Sequence, residues 1–309
     1  MKNFKSATVL RLNQRQHVAK NLLDGIDEMA VTELEEKLRK HACVDPLPSQ
    51  WRSIGLAAVV DGLFGVSTGG TATLRIEWAE RVLPSKVRDQ HLGVLLDNFN
   101  RMEGRKPSRK EFAELRASVE HELLPKAFIR RSNVLVSIGH DTLILWSSSS
   151  KKVDEAVTLL MAVINDVLST PMQVAALRTK NPVIGLLTAI AKGDSMTFKA
   201  GTAGTLERGD ERISVKDLCL SKSEVVTLLE QDYRVTEMYL TTDDVGGRVN
   251  EHLVFKGLDI EEEKDSLLSS AFIALNTVFK LLTALLGELG EIRIEWDSEQ
   301  AATTPEDEL

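Results

Sequence analysis

Two short runs frame the middle of the chain: Arg81-Val82-Leu83-Pro84-Ser85-Lys86-Val87 and Glu122-Leu123-Leu124-Pro125-Lys126-Ala127-Phe128-Ile129-Arg130-Arg131. Leu83 to Glu103 reads as a helix that Gly104 and Pro107 break. Ser108-Arg109-Lys110-Glu111 then fits a capping box, in which the serine accepts from a helical amide and the glutamate reaches back. Phe112, Leu115, Val119 and Leu123 follow at spacings of three or four and define one stripe of a second helix, which Pro125 ends. The pair reads as a charged helical hairpin projecting between sheet regions.

Working outward, Phe4 to Leu12 reads as a strand, and Asn13 is placed to cap a helix with Ala19, Leu22, Leu23 and Ile26 on its apolar face. Ile54 to Val60 and Thr71 to Trp78 read as strands, with turn signals at Asp61-Gly62 and Gly69-Gly70. Asn133 to Ile138 and Thr142 to Trp146 read as strands joined at Gly139-His140-Asp141. A helix with Val153, Ala156, Val157, Leu160 and Ile164 follows. Pro171 to Asp210 has no clear period. Arg212 to Lys216 reads as a strand, and Ser221-Lys222-Ser223-Glu224 is a second capping-box match. Val235 to Thr241 and Val249 to Phe255 suit a pair around Gly246-Gly247. Leu268, Phe272, Leu275, Phe279, Leu282, Leu286 and Leu289 alternate in steps of four and three on a long helix, read as a core helix rather than an exposed seam. Glu291 to Trp296 is a candidate last strand.

Helices and strands alternate irregularly, with hairpins and no run of βα units, which predicts an α+β fold with antiparallel sheets. The expected division is residues 1–80 as an N-terminal α+β part, 81–131 as basic hairpin and finger loop, 132–300 as the remaining body, and 301–309 as an acidic tail.

The chain has 309 residues, 43% apolar and 27% charged, which suits a soluble globular protein. Its two cysteines, Cys43 and Cys219, give no disulfide framework. No signal-peptide core follows the first residues, and Asn276, Lys280 and Glu288 interrupt the longest apolar stretch, so a cytoplasmic protein without a membrane span is expected.

The net charge of −8 hides an uneven distribution. Arg81 to Arg131 holds 12 Lys and Arg against 7 Asp and Glu, whereas Asp259 to Leu309 holds 3 against 13. A basic surface attracts phosphate without reading sequence, although a hairpin laced with glutamates also satisfies this pattern. No G-x-x-x-x-G-K-[ST] phosphate loop occurs. Gly65 to Gly70 is glycine-rich but reads as a hairpin turn. None of the six histidines sits at metal-ligand spacing with another His or Cys, and Gly193-Asp194-Ser195 lacks the strand and helix of a nucleophile elbow. An enzyme is not expected, nor is a cofactor.

The two opening runs, with the charged hairpin between them, resemble the RdgC family of recombination-associated proteins. That family has a similar ILPS-x-V opening to a helix and an LLP-[RK]-AF motif after a charged helical segment. The hairpin from Val134 to Trp146, the lysines before Val153, the Phe4-Lys5 strand, Asn181-Pro182, the helix start from Leu220 to Val225 and the end from Leu282 to Gly290 are similar too. The resemblance is dense from Leu74 to Ile164.

It implies a ring-shaped homodimer with two separate interfaces, which binds DNA, duplex above all, without sequence preference. It also implies restraint of RecA-promoted strand exchange, no cofactor, no catalysis and a nucleoid-associated, cytoplasmic location. The family's aromatic finger at the gating interface matches Phe128, whose alternative fate is the core. The family's KKQD stretch at the same gate matches only at Lys216, since Asp217 and Leu218 depart from it. Candidate DNA contacts are Arg105, Lys106, Arg109 and Lys110 on the hairpin, with Lys126, Arg130 and Arg131 near the gate. The alternative is a protein-interaction module that keeps the fold and acts on a recombinase without binding DNA.

Overall fold

The computed structural model describes residues 4–13, 18–27, 31–260, 266–292 and 294. The chain divides into two compact units: a larger one of Met1–Asp27, Ser67–Ala72 and Val136–Leu309, and a smaller one of Glu28–Val66 and Thr73–Leu135.

The chain opens with β1 (Ser6–Leu12) and α1 (Val18–Asp27) in the larger unit, then α2 (Val31–Lys40) and β2 (Arg52–Ala57) in the smaller. β3 (Gly65–Thr68) turns through Gly69 and Gly70, both at positive φ, into β4 (Thr71–Val82). Leu74, Ile76 and Trp78 alternate along β4 and are buried, the period-two signature of a strand with one face on a core. The hairpin helices are α3 (Ser85–Glu103) and α4 (Arg109–Leu123), and β5 (Phe128–Ile138) returns from them.

β6 (Thr142–Leu145), α5 (Ser150–Leu168), β7 (Val174–Ala176) and α6 (Val183–Lys192) follow. Then come β8 (Lys199–Arg208), β9 (Glu211–Lys216), α7 (Ser223–Glu230), β10 (Arg234–Thr241), β11 (Gly246–Asn250), β12 (Val254–Lys256) and α8 (Leu267–Leu289). In the larger unit the strands hydrogen-bond in the order β6-β1-β12-β11-β10-β8-β9, with β7 also on β1 and the end of β5 on β6. In the smaller unit the order is β2-β4-β5. Every strand pairing with a described register is antiparallel, as the irregular alternation of elements predicts.

Several expectations are corrected. Asn13 does not cap α1, which starts at Val18; its side chain donates to Gln173 Oε1 at 2.6 Å. Ser221 does not cap α7: the N-cap is Lys222, without a side-chain bond, and Ser221 Oγ lies 3.1 Å from Cys219 Sγ. The unread stretch contains α6, bracketed by Pro182 and the left-handed Gly193. Gly246-Gly247 lies inside β11, and the turn is at Thr242 to Val245. Phe128 starts a strand rather than sitting in a loop.

α8 is long and apolar enough to cross a membrane by length and composition, but it buries Ala271, Ala274, Leu275, Val278, Leu281, Leu282, Leu285 and Leu289. It is thus a core helix. Its buried face drifts from the expected heptad, leaving Phe272 exposed, because a straight helix repeats every 3.6 residues. Glu291 makes one bridge to Thr179; Arg293, Glu295, Trp296 and the tail 301–309 lie outside the described residues.

The hairpin has its own small core. Leu92, Val119 and Leu123 are buried, with Leu83, Leu95, Leu96 and Leu115 packed on them; Phe112, expected in the stripe, stays 40% exposed. The turn between the helices is organised by Glu111. Ser108 Oγ accepts from the Glu111 N–H, and the Ser108 N–H donates to Glu111 Oε2 at 2.8 Å, which completes the expected capping box. The same carboxylate takes both Arg105 guanidinium nitrogens, at 2.7 and 2.8 Å, in a bidentate pair. These bonds, from Arg105 first and then from Ser108, hold the Glu111 carboxyl well below the usual carboxylate range.

Two predictions follow from these contacts. A Cβ added at Gly55 would come within 2.6–2.7 Å of the backbone of Cys43 and His41, which cannot rotate aside. Gly55→Ala is therefore expected to cost about 1–3 kcal/mol in urea unfolding; an unchanged midpoint would contradict the close approach. Because the Glu111 pKa is depressed on folding, its contribution is complete above its unfolded value of about 4.3 and is lost progressively as pH falls from there through the depressed folded value. Glu111→Gln should melt below wild type at pH 7, and the gap should close towards pH 3. An equal gap at both pH values would show that the charge is not what holds the turn.

Candidate nucleic-acid and dimer interface

β4 and β5 lie side by side in the smaller unit, so their alternate residues bring distant charges together. Arg130 donates to Glu80 Oε2 at 3.0 Å. Arg131 bonds both Glu77 and Asp45. Lys126 pairs with Glu122 at 3.6 Å, one helical turn back, and Arg105 is held by Glu111. Each of these four predicted phosphate contacts thus has a carboxylate beside it.

Lys106, Arg109 and Lys110 differ. All three are exposed around the turn between α3 and α4, and none has an ion-pair partner among the described residues. The predicted set therefore separates into three open cations at the hairpin turn and four neutralised ones.

Arg81, counted by sequence with the basic surface, turns inward. Its guanidinium donates to the carbonyls of Leu124 and Pro125 at 3.1 Å each and of Pro46 at 2.9 Å, and its N–H donates to Trp51 O at 2.8 Å. It ties the loop before β2 to the 3-10 turn of Leu124–Lys126, from which Phe128 emerges two residues later.

Phe128 is 81% exposed, which excludes the core alternative. Two residues along the same strand, Arg130 lines a pocket of about 360 Å³ whose other walls are Trp51, Arg52, Glu80, Arg81, Val82 and Leu83. Trp51 is 46% exposed there, and Val44 and Leu47 of the same loop are also exposed. Sequence reasoning missed Trp51 and this pocket; the available signal was an aromatic just after Pro46 and Pro48, in a loop that also holds Val44 and Leu47.

Lys216, the other predicted gate residue, is exposed at the end of β9 in the larger unit. Asp217 follows at positive φ (57°), and the Leu218 N–H bonds Thr202 O at 3.3 Å. Cys43 lies near Glu77 and Arg131, and burial pushes its thiol up, away from the thiolate a nucleophile needs. Among the described residues no group of three or more His, Cys, Asp or Glu is placed to hold a metal.

A family model described as "Putative exonuclease, RdgC" matches residues 4–290. A relative from Actinobacillus succinogenes is 24% identical over 301 residues, 93% of this chain and 95% of its own length. One from Tolumonas auensis is 27% identical over 226 residues, 69% of this chain and 72% of its own. One from Cupriavidus necator is 26% identical over 170 residues, where the match spans about half of each protein, 54% and 55%. All three carry the name recombination-associated protein RdgC. The family model's description names an exonuclease and the relatives' names do not, and no enzyme activity is established by either. The match over nearly the whole chain places this protein in the RdgC family.

Proposed function

We propose that this protein is a homodimeric, ring-forming DNA-binding protein that modulates homologous recombination by limiting the access of RecA to DNA, and that it catalyses no reaction. The observation that carries the DNA contact is the trio Lys106, Arg109 and Lys110, exposed and without an ion-pair partner among the described residues at the turn between α3 and α4. Such cations hold phosphates by charge alone and release counterions, so binding is indifferent to sequence and sensitive to salt. The relatives' name supports the setting in recombination.

The exposed Phe128 supports the dimer. A large aromatic left in water beside a pocket with apolar walls from Trp51, Val82 and Leu83 suits a two-fold exchange, each copy's Phe128 entering the other's pocket. Lys216 belongs to the same gate as Phe128 in this reading. The paired state of Arg105, Lys126, Arg130 and Arg131 favours one alternative: a protein-interaction module that meets a recombinase without touching DNA.

Titration of random-sequence duplex at several salt concentrations separates the two. The DNA reading expects a salt-sensitive complex, and no complex at low salt would leave the interaction module. Replacing Lys106, Arg109 and Lys110 together by Ala should flatten the slope of log K against log salt by about 2.7 units, at about 0.9 per phosphate. Replacing Arg130 and Arg131 should change it less, because their carboxylates already neutralise them. Release of nucleotides from end-labelled duplex in the presence of magnesium would overturn the non-catalytic reading. For the dimer, Phe128→Ser should weaken association by about 2 kcal/mol or more in sedimentation, with an unchanged melting temperature. A dimer unaffected by that change would place the interface elsewhere.

A further inference from the structure

The pocket beside Phe128 has a chemistry that an aromatic finger alone does not require. It joins one indole, Trp51, to three guanidinium-bearing residues, Arg52, Arg81 and Arg130, and one carboxylate, Glu80. A phenyl ring needs apolar walls but no cations. A phosphate needs cations but no indole. A nucleotide needs both: a flat surface for its base and positive charge for its phosphate.

We infer that this pocket also takes an unpaired nucleobase of single-stranded DNA, stacked on Trp51, with the adjoining phosphates against Arg52 and Arg130. The inference rests on the DNA-binding reading above. Trp51 is suited to it where the other described tryptophans are not, since Trp78 and Trp146 are 2% and 5% exposed. The volume of about 360 Å³ is open at the surface and admits a base with its sugar. Arg130 is 68% exposed at its side chain, so it can turn from Glu80 towards a phosphate while Glu80 accepts from a base N–H, such as thymine N3–H. Arg81 lines the same pocket, and its Nε is buried with no hydrogen-bond partner among the described residues. A duplex cannot use this site without extruding a base, which costs unstacking and unpairing. The pocket therefore adds affinity for single strands alone, and the partner's Phe128 competes for the same volume.

The test compares an oligothymidylate of about 15 nucleotides with a duplex, at one salt concentration, by tryptophan emission and by affinity. Oligothymidylate is expected to quench the Trp51 emission. Trp51→Ala should lower the ratio of single-strand to duplex affinity about tenfold. Trp51→Leu, which keeps apolar bulk without a π face, should lower it equally, and Trp51→Tyr should restore it. Phe128→Ser, by vacating the pocket, should deepen the quench. An unaltered ratio in both Trp51→Ala and Trp51→Leu, or a quench that persists in both, would overturn the site. If duplex still binds with the expected salt slope, only the stacking pocket falls. If neither nucleic acid binds, the DNA reading falls with it.

Discussion

The Arg81 guanidinium is the constraint on which the working end of the smaller unit depends. Three carbonyls, of Pro46, Leu124 and Pro125, converge on it, and its own N–H holds Trp51 O. None of these carbonyls belongs to a strand, and only that of Leu124 also takes a backbone bond among the described residues, from the Ala127 N–H at 3.1 Å. A planar fork can serve several acceptors in fixed directions, and a lysine ammonium at the same place could not. Through this one side chain, the start of β2 and the end of the hairpin become a single piece. The direction in which Phe128 leaves that piece is set by the same bonds.

Electrostatics follows from the same geometry. A local excess of positive charge in sequence becomes, in space, a mixture of closed pairs and a few open cations. Arg131 meets Glu77 and Asp45, and Arg130 meets Glu80, because β4 and β5 lie together and the loop from Cys43 folds over them. Exposed pairs of this kind add little stability, but they lower the positive field that phosphate would feel. What remains open is the turn of the hairpin, where Lys106, Arg109 and Lys110 are exposed while Glu111 is taken by Arg105 and Ser108.

What was legible in the sequence was local. Ser108 and Glu111 are three residues apart, and their reciprocal bonds can be read from that spacing. The exposure of Phe128 followed from charged neighbours and a helix just ended by proline. The partners of Arg130 and Arg131 lie 50, 54 and 86 residues away, and sheet pairing together with the loop from Cys43 brings them close. Asn13 and Ser221 looked like caps because their residue types suit one, but Gln173 and Cys219 offered nearer bonds. α6 was missed although Pro182 and Gly193 bracket it, because ten mostly apolar residues have no polar face to reveal a period.

The hairpin's thin interior has a dynamic consequence. Of the nineteen residues of α3 only Leu92 is buried, and α4 contributes Val119 and Leu123. Apolar burial this sparse favours local opening, compared with the denser burial of the sheet-bearing regions. The hairpin is thus a foldon of its own, whose amides should exchange with deuterium through local opening long before those of β10 or α8. Around that small cluster its helices are joined by the Glu111 turn at one end and by the Arg81 clamp at the other. An arm built in this way can melt, and re-form, while the rest of the chain stays folded.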